Sequence, residues 1–205
     1  MQYNYGTSET KPKKKKKHTG LKIFIGFIVV CAIFYSIGSS SINGTSNGNS
    51  GEASATTEAD WLAFDERTWS EFVNLYTAHN NLMNALTDFS NGNLSAVDFY
   101  QFCQETKDYF ANASLSFDYG TSSDEKDYLS AFRSMALSDQ MAAESLMKYL
   151  DSWDTSDLSS AEENIQNAVS AATTIASNRG TLLAKAGLSQ EEIQAKVEED
   201  MTDLG

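Results

Sequence analysis

From residue 58 onward apolar residues recur every three or four positions, the spacing of one face of an α-helix. Trp61, Phe64, Phe72, Leu75, Leu82, Leu86 and Phe89 mark a first stripe, with Thr68 and His79 filling its gaps. Asn91–Gly92 reads as its stop, because glycine enters the left-handed conformation that closes a helix without a Cβ penalty. A second segment opens with Ser95 as N-cap and Asp98 at its third helical position, and Leu94 and Phe99 are spaced for a hydrophobic staple. Phe99, Phe102, Thr106, Tyr109 and Ala113 carry its stripe, widened by Cys103 and Phe110.

After a loop around Phe117–Gly120, Ser122 and Glu125 have capping-box spacing for a third helix. Its face is Leu129, Phe132, Ala136, Ala143, Leu146, Leu150 and Trp153, with Asp139 in one stripe position. A fourth helix begins near Ser159, with Glu162 and Glu163 in its first turn, where acids meet the positive end of the helix dipole. Ile165, Val169, Ala172, Ala176 and Leu183 form its face, and the small residues Ala168, Ala171 and Ala172 point to a close helix neighbour. Gly187 ends it, and Leu188, Ser189, Glu192 and Ile193 supply a staple and capping box for a short last helix. No proline follows Glu58, and a sheet-rich domain would need frequent turn residues. The expected fold is all-α: an extracytoplasmic four-helix bundle plus a short C-terminal helix, preceded by one transmembrane helix. Short connections imply up-down-up-down order in the bundle.

Upstream the pattern changes. Residues 21–38 are apolar apart from Lys22 at the edge, and eighteen residues at ~1.5 Å each reach ~27 Å, the thickness of a hydrocarbon core. Lys22 can extend its ammonium to the headgroups, and Tyr35 lies near the far interface. A cleaved signal peptide is the rival, since Ile23–Tyr35 has the length of a signal's apolar region and Ser36–Ile37–Gly38 offers small residues. The long polar leader, and an apolar run continuing to Ile37, favour the anchor. Cleavage near Gly38 would release a secreted protein. Residues 39–57, rich in Ser, Gly and Asn, form a flexible tether with an r.m.s. reach of ~25 Å. The chain thus divides into a basic cytoplasmic tail (1–20), a signal anchor (21–38), a linker (39–57) and an acidic helical domain (58–205).

Charge supports that division. Seven of the 15 basic residues but only Glu9 of the 28 acids fall in residues 1–22, so residues 23–205 hold 8 basic residues against 27 acids, a net −19. The lysines beside the apolar segment place the N-terminus in the cytoplasm and the domain outside. A body this acidic repels phosphate backbones, so no nucleic-acid partner is expected. Cys31 lies in the apolar segment, which leaves Cys103 without an internal disulfide partner, and the domain must be held by its core.

The candidate chemistry is thin. His79 is the one histidine outside the tail, too few for a carboxylate-bridged di-metal bundle and, with one cysteine, for a zinc site. It interrupts an apolar stripe, as Asp139 does on the third segment. The sharper reading pairs the two as a buried polar contact that sets pH-dependent packing; the plainer one is a satisfied core histidine. Cys103 sits among Phe99, Phe102, Thr106 and Phe110, where a buried thiol acts as a small apolar group. Glu162–Glu163 and Glu191–Glu192 lie where helix N-termini favour acids, and Asp151, Asp154 and Asp157 read as a solvated loop before the fourth helix. Trp69, Tyr76 and Tyr100 lie off the main stripes; exposed, they would suit a partner surface, and otherwise they widen the buried face. No catalytic, cofactor or metal site emerges, and no phosphate loop, nucleophile elbow or HExxH is present. The expected function is a membrane-tethered, non-catalytic binding or scaffolding module with a protein partner at the cell surface. The alternative is a small-ligand or envelope sensor, and the short sets of nucleophiles and ligands argue against an enzyme.

Overall fold

A computed structural model describes residues 58–201, which form five helices and no strand. They are α1 (Glu58–Asn91), α2 (Ala96–Ser116), α3 (Ser123–Ser152), α4 (Thr155–Lys185) and α5 (Gln190–Met201). The basic tail, the anchor at 21–38 and the linker lie outside the described residues. Among those described, no helix is long and apolar enough to cross a membrane.

Local chemistry sets the helix boundaries. Gly92, at φ +77°, closes α1, and Ser95 caps α2 by accepting the Asp98 N–H at 3.1 Å. Ser122 opens α3 with a full capping box: its hydroxyl accepts the Glu125 N–H at 3.2 Å while the Glu125 carboxylate accepts the Ser122 N–H at 3.0 Å. Burial alone would raise the Glu125 pKa, but donors from Thr121 and Ser122 hold it below the usual carboxylate range. Ser189 and Glu192 build the corresponding box at α5. The α2–α3 loop is pinned by its own side chains. Tyr119 donates to Glu71 at 2.6 Å and lies under the Arg67 guanidinium, and Arg133 donates to the Phe117 carbonyl at 3.1 Å. Gly120 is required here by close approach, because a Cβ would sit 2.9 Å from the Lys126 nitrogen.

One boundary and one buried face differ from the sequence expectation. α4 begins at Thr155, not Ser159, because Asp154 acts as its N-cap and accepts the Ser156 N–H at 2.9 Å. The expected acidic loop is therefore absent: Asp151 lies in the last turn of α3, Asp154 caps α4 and Asp157 sits in its first turn, where it suits the dipole. The face of α2 is also turned relative to the expected stripe. Phe99, Cys103, Thr106, Phe110 and Ser114 are buried, whereas Tyr109 is exposed and Phe102 half-buried.

The helices pack as a bundle in which sequential neighbours touch and α1 also meets α4. The proximal end holds the start of α1, the α2–α3 loop and the end of α4. The distal end holds the α1–α2 and α3–α4 turns, linked by a Phe89–Trp153 ring contact at 6.5 Å. α3 and α4 have the most extensive close backbone approach. Buried alanines explain it: Ala131, Ala136, Ala142 and Ala143 on α3, and Ala161, Ala168, Ala172 and Ala176 on α4. α1 brings Trp61, Trp69, Phe72 and Tyr76 into the core instead, and such rings hold its backbone further from its neighbours.

The core has two apolar clusters. The proximal one gathers Phe72, Leu75, Phe110, Phe132, Met135 and Ile175. The distal one gathers Leu82, Leu86, Phe99, Cys103, Leu146 and Ile165. Along α1 the boundary falls between Tyr76 and Leu82, and along α3 between Ala136 and Ala142. His79 and Asp139 occupy those two gaps.

Candidate functional site

Two buried polar centres and one exposed tip stand out from this frame. At the waist, His79 Nδ1 lies 2.7 Å from Asp139 Oδ1, with both side chains at most 1% exposed. Neither His79 Nε2 nor Asp139 Oδ2 has a hydrogen-bond partner among the described residues. Burial pushes the Asp139 carboxyl above its ordinary range, opposed by the hydrogen bond and charge of His79. On α2, Thr106 occupies the same level by register, between Cys103 of the distal cluster and Phe110 of the proximal one. Cys103 is a free, buried thiol whose pKa burial pushes up to about 12, so it stays protonated and behaves as a small apolar group.

The second centre lies at the proximal end and was not expected from the sequence. Arg179 of α4, 1% exposed, donates from Nε to Asp65 Oδ1 at 2.7 Å and from Nη2 to Asp65 Oδ2 at 2.9 Å. Nη2 also donates to Asp200 of α5. Lys196 Nζ stands 3.7 Å from Asp65 and 3.9 Å from Asp200, so two cations face two carboxylates. The Arg179 guanidinium lies 3.9 Å over the Trp69 ring. Burial opposes its charge, but the bonds and charges of Asp65 and Asp200 outweigh that and raise its pKa further. Arg179 Nη1, Trp69 Nε1 and the Tyr128 hydroxyl have no acceptor among the described residues.

A signal for this centre was present in the sequence. Asp65 sits four residues after Trp61 and three before Thr68, on the buried arc of α1. Arg179 follows Ile175 by four and precedes Leu183 by four, on the stripe of α4. Each interrupts an apolar stripe as His79 and Asp139 do, but Phe64, next to Asp65, drew the expected stripe one position away.

The surface expected for Trp69 and Tyr76 is corrected by the structure: both are buried in the proximal cluster. Trp69 packs on Phe72 with centroids 5.0 Å apart, and Tyr76 stacks on Phe72 at 5.8 Å and on His79 at 6.4 Å. α1 touches α2, α3 and α4, so its buried arc is wider than one stripe. Tyr100 is half-buried against the distal cluster. The structure therefore brings His79 and Asp139 together and does not bring Trp69, Tyr76 and Tyr100 onto one surface.

The large apolar side chains that do reach solvent include two at the distal tip, Val97 at 77% and Trp153 at 58% exposure. Trp153 is the one non-glycine residue at positive φ (56°) among those described, in the left-handed position where helices usually end on glycine. Its N–H donates to the Tyr149 carbonyl at 2.7 Å, and its ring meets Tyr149 at 5.5 Å as well as Phe89. No three His, Cys, Asp or Glu side chains among the described residues are placed to hold a metal ion. Compared with protein families, curated proteins and solved structures, the chain matches none. What the described residues define is a helical bundle with two buried polar centres and an aromatic distal tip.

Proposed function

We propose that this chain is a membrane-tethered, non-catalytic binding module that captures a protein partner through its distal tip. On this reading residues 21–38 anchor it, the lysine tail stays in the cytoplasm, and the domain stands outside, joined to the anchor through residues 39–57. The observation that carries the reading is Trp153: a large aromatic side chain, mostly exposed, held in a backbone conformation that costs a non-glycine residue about 1 kcal/mol or more. Folding gains little from that placement, whereas an aromatic anchor for a partner gains a great deal.

Position supports it. α1 has 34 residues and so spans ~50 Å, which sets the tip that far from the point where the linker joins. Charge narrows the partner's chemistry. Residues 84–104 and 144–163, which build the tip, hold eight acids and a single basic residue, Lys148. A surface of that sign favours a basic segment carrying an apolar side chain, and it disfavours an anionic bilayer. The tether raises the local concentration of such a module at the membrane. A second reading, a sensor of envelope state, rests on a different observation, the buried His79–Asp139 pair.

The test is in-cell crosslinking of the full-length chain carrying a C-terminal affinity tag, compared with Trp153→Gly. Glycine keeps the left-handed turn, so the variant folds while losing the ring. The expected result is a surface partner captured by the parent, released at raised salt, and lost from the variant. Equal capture by both proteins overturns the assignment to the tip. Capture of nothing but the chain itself overturns the binding-module reading.

A further inference from the structure

We propose that the His79–Asp139 pair is a proton-linked joint at the waist of the bundle, which holds the two halves of the core together while it retains one proton and loosens them when that proton leaves. The geometry carries the idea. The pair fills the gap between the two apolar clusters on α1 and on α3 at once, so it is the contact through which those two helices pass from one cluster to the other. With one proton the pair is either imidazolium–carboxylate or imidazole–carboxylic acid, and both forms are neutral overall and hydrogen-bonded across 2.7 Å. Without it, an ionised carboxylate faces a neutral imidazole in an apolar interior, with Oδ2 unpartnered.

The surroundings leave the pair to titrate by itself. On α1 the neighbouring ionisable group is Tyr76, stacked on the imidazole. On α2 the level is shared by Thr106 and by Cys103, which stays a thiol. On α4 the adjoining core positions are Ile165, Ala168 and Ala172, none of which ionises. α5 packs on α4 at the proximal end and reaches Asp65, which is far along α1 from His79. Among the described residues, His79 is the side chain that acts on the Asp139 carboxyl, through its hydrogen bond and its charge interaction. The upward displacement of the Asp139 carboxyl is consistent with an interior that favours the retained proton.

The sign follows from linkage. The unfolded chain also holds one proton on these two side chains until its imidazole deprotonates, so a folded pair that binds that proton more tightly contributes stability in mildly acidic solution and loses it as pH rises from the ordinary imidazole range to the pair's folded value. One proton's difference changes the folding equilibrium by about tenfold per pH unit across that window. The other acids also titrate, so the informative quantity is the difference between proteins.

The experiment measures unfolding of the full-length chain in detergent micelles between pH 4 and 9, for the parent, for Asp139→Asn, and for His79→Leu combined with Asp139→Leu. Asparagine keeps an acceptor for the imidazole N–H and does not titrate. The paired leucines remove both polar groups, so no buried group is orphaned if the single variant fails to fold. The expected result is a folding equilibrium that falls with rising pH more steeply in the parent than in either variant, by up to about tenfold per unit. Hydrogen-exchange protection of amides around His79 and Asp139, taken relative to the intrinsic exchange rate at each pH, should fall over the same window in the parent alone. Parallel pH profiles in the parent and in whichever variant folds overturn the proposal. So does a steeper fall in the parent without loss of protection at the waist, because the proton would then act elsewhere.

Discussion

At the proximal end Asp65 meets a guanidinium that stays charged at every ordinary pH, while at the waist Asp139 meets the imidazole of His79 across a single 2.7 Å hydrogen bond. The proximal carboxylate has two cations within reach and shares them with Asp200; the waist carboxylate has one partner and leaves an oxygen bare. The first arrangement is a clamp. It ties α1, α4 and α5 through a planar fork whose geometry matches a carboxylate and whose cation keeps its charge. The second is a joint between α1 and α3 whose strength depends on one proton. Burial makes both expensive to break.

Breaking the clamp gives the largest expected effect. Arg179→Met keeps much of the volume and leaves Asp65 buried with only Lys196 nearby. Removing one partner of a buried ion pair costs about 3–5 kcal/mol, to be read from chemical denaturation at neutral pH. A loss under 1 kcal/mol would mean that Lys196 replaces the guanidinium, and the contrast between clamp and joint would fail.

Asp200→Asn is a smaller perturbation of the same centre. It keeps an acceptor for Nη2 but removes a charge, and loss of charge assistance weakens such a bond by about 1 kcal/mol. Because Asp200 lies on α5, the loss should be local. Amides of α5 should exchange faster, while those of α1 and α4 stay protected. Uniform acceleration throughout the domain would instead make α5 part of one cooperative unit with the bundle.

What the sequence reveals follows the same division. Boundaries set by local chemistry are legible, as at Ser95, Ser122 with Glu125, and Ser189 with Glu192, because a cap is a relation within four residues. The start of α4 is less so: Asp154 and Ser159 are both credible caps, and the choice falls to a left-handed Trp153 that shortens the turn, which no local rule favours. The waist pair is legible because His79 and Asp139 each break an otherwise apolar stripe. The clamp is harder to see. Its residues lie 114 positions apart, and Asp65 stands beside a phenylalanine that satisfies the helical spacing equally well. Burial of Trp69 and Tyr76 depends on how many helices surround α1, which is a property of the assembled bundle.

The smallest stability effect is expected at the tip, which neither centre touches. Trp153→Gly relieves a left-handed backbone that costs a tryptophan about 1 kcal/mol and gives up ring contacts with Phe89 and Tyr149 worth a similar ~1 kcal/mol. The two changes oppose each other, so thermal unfolding should shift by no more than a few degrees in either direction. A fall comparable with that of Arg179→Met would mean that the ring is part of the core, and its exposure would then be no sign of a partner. A shift near zero, with capture of the partner lost, would separate the residue that binds from the two centres that hold the bundle together.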